Sequence, residues 1–117
     1  MKRILALDLA STSGWAVGEP GKLLAHGMIR FASKGASHEA IFASAFDWMR
    51  DKIGTYAPTT VVWEAPLAST FTRGRTTTDV TTVLFGLPAV MGLVAYQHGV
   101  YDIRKAETRA VRMHFIG

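Results

Sequence analysis

The stretch ILALDLASTSGWAV, residues 4–17, decides how this chain is read. Ile4, Leu5, Ala6 and Leu7 form an apolar run without a polar side, the pattern of a strand covered on both faces. Asp8 follows at once. Ser11 to Gly14 then supply turn chemistry, and Trp15 to Glu19 resume as a second short strand. A carboxylate at the end of a buried strand is costly unless hydrogen bonds or a cation meet it. The question it raises is whether a second carboxylate arrives at the same place.

Outward from that stretch the chain alternates strands and helices. Glu19 to Lys22 (EPGK) is a tight turn, and Leu23 to Phe31 reads as a third strand, so residues 3–31 form an antiparallel meander. Ser37 is placed to cap a helix from His38 to Ile53, with Phe42, Ala45, Phe46, Met49 and Ile53 along one stripe and Gly54 as its stop. Thr59 to Trp63 is a fourth strand that ends at Glu64. Residues 65–77 are loop-like. A helix follows over Thr78 to Gln97, with Gly86 and Pro88 predicting a kink or break near Leu84. Val100 to Ile103 is a fifth strand, and Ala106 to Phe115 is a last helix with Gly117 as its C-cap.

With 117 residues, the chain has the length of one domain, and its 49% apolar content suffices for one core. The absence of cysteine excludes disulfide frameworks and thiolate zinc sites, and fits a reducing cytoplasm. Asp8 interrupts the N-terminal apolar run too early for a signal peptide. The apolar run Val83 to Tyr96 is shorter than the ~20 residues of a membrane span and reads as a buried helix, so no membrane partner is expected. A net charge of +4 permits nucleic-acid binding, and Arg73, Arg75, Arg104, Lys105, Arg109 and Arg112 crowd the last third.

The order is β-β-β-α-β-α-β-α. A crossover from the third strand through the first helix can lay strands one and four side by side and parallel. Asp8 and Glu64 would then be neighbours at the carboxyl edge of an open α/β sheet, where ligands usually bind. Two carboxylates about 5 Å apart on adjacent strands repel by roughly 3 kcal/mol at an effective dielectric near 20. A shared proton or a cation relieves that, and a hard divalent ion, Mg²⁺ or Mn²⁺, suits oxygen donors and supports phosphoryl chemistry. Each acid taken alone reads more readily as a solvated strand end or a cap, and it is the pairing of the two strands that raises them.

The stretches ILALDLASTSGWAV and TTVVWEAPLASTF, with the looser run from Thr81 to Gly117, resemble the RuvC-like Holliday junction resolvases of the RNase H-like superfamily. The resemblance implies an α/β, RNase H-like fold: a five-stranded mixed sheet, its first three strands antiparallel, flanked by helices. It implies Mg²⁺- or Mn²⁺-dependent hydrolysis of phosphodiesters in branched DNA, with Asp8 and Glu64 as the first two metal ligands and catalytic acids. The family uses two further acids on a C-terminal helix. No acid follows Glu107, so the expectation is a fragment of a longer domain. Ala10 stands where many relatives carry Gly. Pro88 falls in a helix that the family uses along a homodimer interface.

Phe71, Arg73 and Arg75 form an aromatic and basic cluster suited to stacking on a base and holding phosphates, or an ordinary loop. Lys105, Arg109 and Arg112 fall at helical spacings of four and three, as a phosphate-contacting stripe or a solvated face. The four histidines have no partner at metal-ligand spacing, and the three tryptophans lie on elements expected to be core. Two other functions compete with a junction endonuclease. One is an ATP-binding domain of the actin and sugar-kinase type, against which stand Ala10 in the turn and the short chain. The other is a non-catalytic DNA-binding module.

Overall fold

Strands that are apolar on both faces belong in the middle of a sheet, and the chain obeys this. The computed structural model describes residues 2–10, 12–64 and 78–106. In chain order they form β1 (Ile4–Asp8), β2 (Thr12–Glu19), β3 (Lys22–Arg30), α1 (His38–Tyr56), β4 (Thr60–Glu64), α2 (Thr78–Gln97) and β5 (Asp102–Ala106). The sheet order is β3-β2-β1-β4-β5. β1–β2 and β2–β3 are antiparallel, while β1–β4 and β4–β5 are parallel. The expected five-stranded mixed sheet is therefore present.

The two central strands bury both faces. Leu5, Leu7, Val61 and Trp63 join Ala45, Met49 and Ile53 of α1 and Leu87, Met91 and Val94 of α2 in one cluster. Ile4, Ala6, Thr60 and Val62, which alternate with them, are also buried. The Trp63 indole Nε1 has no hydrogen-bond partner among the described residues, a cost of about 1–3 kcal/mol that burial of the ring offsets. Trp15 and Trp48 are half-buried and meet edge to face at 5.9 Å, beside Phe31 and Tyr56. Packing accounts for all three tryptophans, as expected. On β5, two hydrogen bonds from Arg104 and one from Thr60 hold the Asp102 carboxyl below its ordinary range.

Several boundaries depart from the sequence reading. β2 starts at Thr12, inside the expected turn, because the Ser13 hydroxyl closes a tighter one. It donates to the Ala10 carbonyl (2.8 Å) and accepts from the Ala10 amide (3.0 Å). Ser37 does cap α1, accepting from Ala40 N. Gly54 does not end it. The helix continues to Tyr56 and closes at Ala57 in the left-handed region (φ 47°), ahead of Pro58, which cannot continue a helix. β5 lies at 102–106 rather than 100–103, set by pairing of Thr60 with Asp102 and Glu64 with Ala106. The expected last helix falls outside the described residues beyond Ala106.

α2 runs as one helix through Gly86 and Pro88. It is longer than its apolar run, and over Val80–Gln97 it is long and apolar enough to cross a membrane by length and composition alone. Only one face is buried, with Leu87, Met91 and Val94 at the sheet, while Phe85, Leu93 and Tyr96 are exposed. At Gly86 the Phe42 ring of α1 lies close, since a Cβ there would overlap it. Alanine at an exposed helix position gains about 1 kcal/mol over glycine, but overpacking costs about 1–3 kcal/mol. Gly86→Ala is therefore expected to lower the urea midpoint, and Phe42→Leu in the same chain to restore part of it. An unchanged or raised midpoint for Gly86→Ala would refute this contact.

Candidate metal and nucleic-acid site

The site begins at the opposite end of the sheet from its carboxylates. The Arg3 amide donates to Thr59 Oγ1 (2.9 Å), the Thr59 hydroxyl donates to the Arg3 carbonyl (3.1 Å), and the Thr59 and Thr60 amides reach the same carbonyl at 2.8 and 3.1 Å. Arg3 Nη1 also donates to the Tyr56 carbonyl (2.8 Å) at the end of α1. This clasp starts β1 and β4 together. From it the parallel register runs Ile4–Thr60, Leu5–Val61, Ala6–Val62 and Leu7–Trp63. Asp8 and Glu64 are the next residues on each strand. They follow Ala6 and Val62 by two, so both belong to the face opposite the Leu7–Trp63 layer.

Asp8 is exposed and Glu64 half-buried. At adjacent-strand spacing their mutual repulsion is roughly 3 kcal/mol at most, and solvent at Asp8 reduces it. No cluster of three or more His, Cys, Asp or Glu side chains occurs among the described residues. Two carboxylates nevertheless fit Mg²⁺, which keeps several waters and is commonly held by one or two carboxylates plus substrate phosphate. Asp8 and Glu64 are the residues that would hold it.

The other predicted site residues divide. Phe71, Arg73, Arg75, Arg109 and Arg112 lie outside the described residues. Lys105 is exposed on β5, register-paired with Trp63. It is a strand residue, so the helical stripe with Arg109 and Arg112 does not hold at Lys105: pairing with β4 extends the strand to Ala106. On the other flank, Gly14 is the cross-strand partner of Asp8 and Met28 is the partner of Gly14. Gly14 reads as turn in the sequence, and only the early start of β2 brings it beside the carboxylate. A groove of about 640 Å³ lies between the start of α1 and α2, lined by Ala10, Ala36, Ile41, Val83 and Leu84 among others, and neither carboxylate lines it.

Comparison with solved structures places the fold. RuvC of T. thermophilus in complex with a Holliday junction substrate superposes with a TM-score of 0.76 at 12% identity, over 93% of this chain and 66% of that one. The chain has the fold of RuvC. A second T. thermophilus RuvC structure matches with a TM-score of 0.68 at 14% identity, over 96% of this chain and 70% of the RuvC chain. The yeast mitochondrial Holliday junction resolvase matches with 0.63 at 10% identity, over 91% of this chain and 50% of its own. The chain thus spans about two thirds of RuvC and half of the yeast resolvase. No family model and no curated protein sequence matches it.

The electrostatics of the pair give a direct test. In chelator, neutralising one carboxylate removes repulsion, so Asp8→Asn is expected to melt at or slightly above the parent temperature. Millimolar Mn²⁺ should raise the melting temperature of the parent and not of Asp8→Asn or Glu64→Gln, since only a bound ion stabilises the folded state by linkage. Equal Mn²⁺ shifts in all three proteins would mean that the two side chains do not share an ion.

Proposed function

We propose that this chain is a metal-dependent endonuclease of the RuvC type, acting on branched DNA such as a Holliday junction. The observation that carries the reading is the convergence of Asp8 and Glu64 at register-matched ends of two parallel strands. The RuvC fold supports it. So does the +4 charge, which favours a polyanionic partner. A divalent ion held at the pair would supply a water nucleophile at neutral pH and offset charge on the phosphate oxygens. Asp8 and Glu64 would hold that ion at the carboxyl end of the sheet, where the buried strands behind them fix the positions from which their side chains start. In-line attack at phosphorus then releases the 3′ oxygen and leaves a 5′-phosphate. Lys105, with Phe71, Arg73, Arg75, Arg109 and Arg112, is assigned to the DNA backbone and bases. A cysteine-free chain with this task suits the cytoplasm.

A synthetic four-way junction with Mg²⁺ or Mn²⁺ tests the reading. The parent chain should cleave it, and Asp8→Asn and Glu64→Gln should each lose at least about 100-fold in rate while binding is retained. Cleavage that survives both substitutions would refute the assignment. Junction binding without cleavage by the parent would favour a non-catalytic DNA-binding module, a reading supported by the two-carboxylate count among the described residues.

The same reading includes a homodimer. Phe85, Leu93 and Tyr96 are exposed within about a quarter-turn of α2, and Tyr101 meets Tyr96 edge to face with ring centroids 5.0 Å apart. A charge-free apolar stripe of this kind suits a second copy of the same helix. Sedimentation should report a dimer for the parent and a monomer for Phe85→Glu with Leu93→Glu; an unchanged state would remove α2 from any interface.

A further inference from the structure

The outer face of the β2–β3 hairpin continues the Asp8 row away from Glu64. Across the sheet the row reads Glu64 on β4, Asp8 on β1, Gly14 on β2 and Met28 on β3. One step higher on the same face, Thr12 pairs with Arg30; one step lower, Ala16 pairs with His26. Met28 is 69% exposed, and Thr12, His26 and Arg30 are exposed as well. The floor between them is small, formed by Gly14 and Ala16. Arg30 makes no ion pair among the described residues, unlike Arg3, Arg50 and Arg104. The glycine is not demanded by the fold. Its φ is not positive, and an added Cβ would sit 3.4 Å from Met28 Sδ and 3.8 Å from Asp8 Cβ, ordinary contacts.

We propose that this hairpin face is a DNA platform: Arg30 takes a backbone phosphate and Met28 packs against a sugar or base of the strand that leaves Asp8 on the side away from Glu64. This rests on the nuclease reading. Met28 lies two strand spacings, about 10 Å, from Asp8, a reach of roughly three nucleotides at B-form rise. The occupant is a nucleic-acid strand because the face joins an unpaired cation and an apolar side chain directly to the carboxylate pair. A bare floor at Gly14 lets the strand lie flat across β2. Lys105, the register partner of Trp63, belongs to the opposite face of the sheet, so on the carboxylates' own face Arg30 is the cation assigned to this strand.

The test is four-way-junction binding without divalent ions, titrated against salt. Arg30→Ala should reduce the slope of log K against log salt by about one and weaken binding roughly three- to tenfold, and Arg30→Lys should keep the slope. Arg50→Ala, on the exposed face of α1, should leave both unchanged. A photoreactive amino acid at position 28 should crosslink to junction DNA, and one at position 85 should not. Parent-like slope in Arg30→Ala together with no crosslink from position 28, in a chain that binds the junction, overturns the platform and leaves the nuclease reading standing. No binding by the parent ends both. If Met28→Glu dissolves a dimer without altering salt dependence, the face belongs to a second copy and the platform is wrong.

Discussion

The parallel register of β1 against β4 is the constraint on which the rest of the molecule depends. A slip of one residue would turn Leu5 and Leu7 away from the helices and carry Asp8 to the other face. The core prevents it. Leu5, Leu7, Val61 and Trp63 are each almost wholly buried, at about 1.5–3 kcal/mol per large apolar side chain. Four such residues outweigh the roughly 3 kcal/mol, less solvent screening, by which the carboxylates repel. Hydrophobic burial thus brings two negative groups to the same end of the sheet. The clasp between Arg3 and Thr59 sets the phase at the far end, and five residues later the pair arrives together.

What was legible in the sequence follows from how local each signal is. β1 and β4 announce themselves through uninterrupted apolar runs, and Ser37 caps α1 because its hydroxyl needs only the amide three residues on. Errors arise where packing overrides local preference. Gly54 looks like a helix stop, yet nothing opposes the helix there until Pro58. Gly86 and Pro88 look like a break, yet Gly86 gives the Phe42 ring its space and α2 stays whole. Lys105 fits a helical stripe with Arg109 and Arg112, but pairing with β4 makes it a strand residue. Of the site, the carboxylate pair was legible because both acids end buried strands. The Gly14 and Met28 flank was hidden because Ser-Thr-Ser-Gly reads as turn, and only the Ser13–Ala10 hydrogen bonds shorten that turn.

Structural agreement with RuvC at 12–14% identity, and with the yeast resolvase at 10%, has the same origin. The register requires apolar side chains of suitable volume at alternating positions, and Val, Ile, Leu and Ala exchange freely there. Identity is therefore a poor measure of the constraint, and topology a good one. Function is demanded more narrowly. The proposed nuclease reading asks for a carboxylate at the end of each of two particular strands, and Asp8 and Glu64 stand at the ends of β1 and β4.

An acidic pair is by itself a poor place to receive a polyanion. A DNA strand approaching Asp8 meets repulsion before any ion can bridge it, so cations must flank the pair on the same sheet. The arginines of this chain are not equivalent in that respect. Arg104 is held by Asp102 through two hydrogen bonds, and Arg50 is paired with Asp47 at 3.1 Å; each already has an anion. Arg30 has none among the described residues and stands one row above Met28, on the face that carries Asp8. Lys105 is exposed on the other edge strand, but its register partner is Trp63, so it belongs to the opposite face. An uncommitted arginine two strands from the carboxylates and on their own face suits the extended polyanion of the proposed platform, and much less well a small anion, which could not reach both the pair and Arg30.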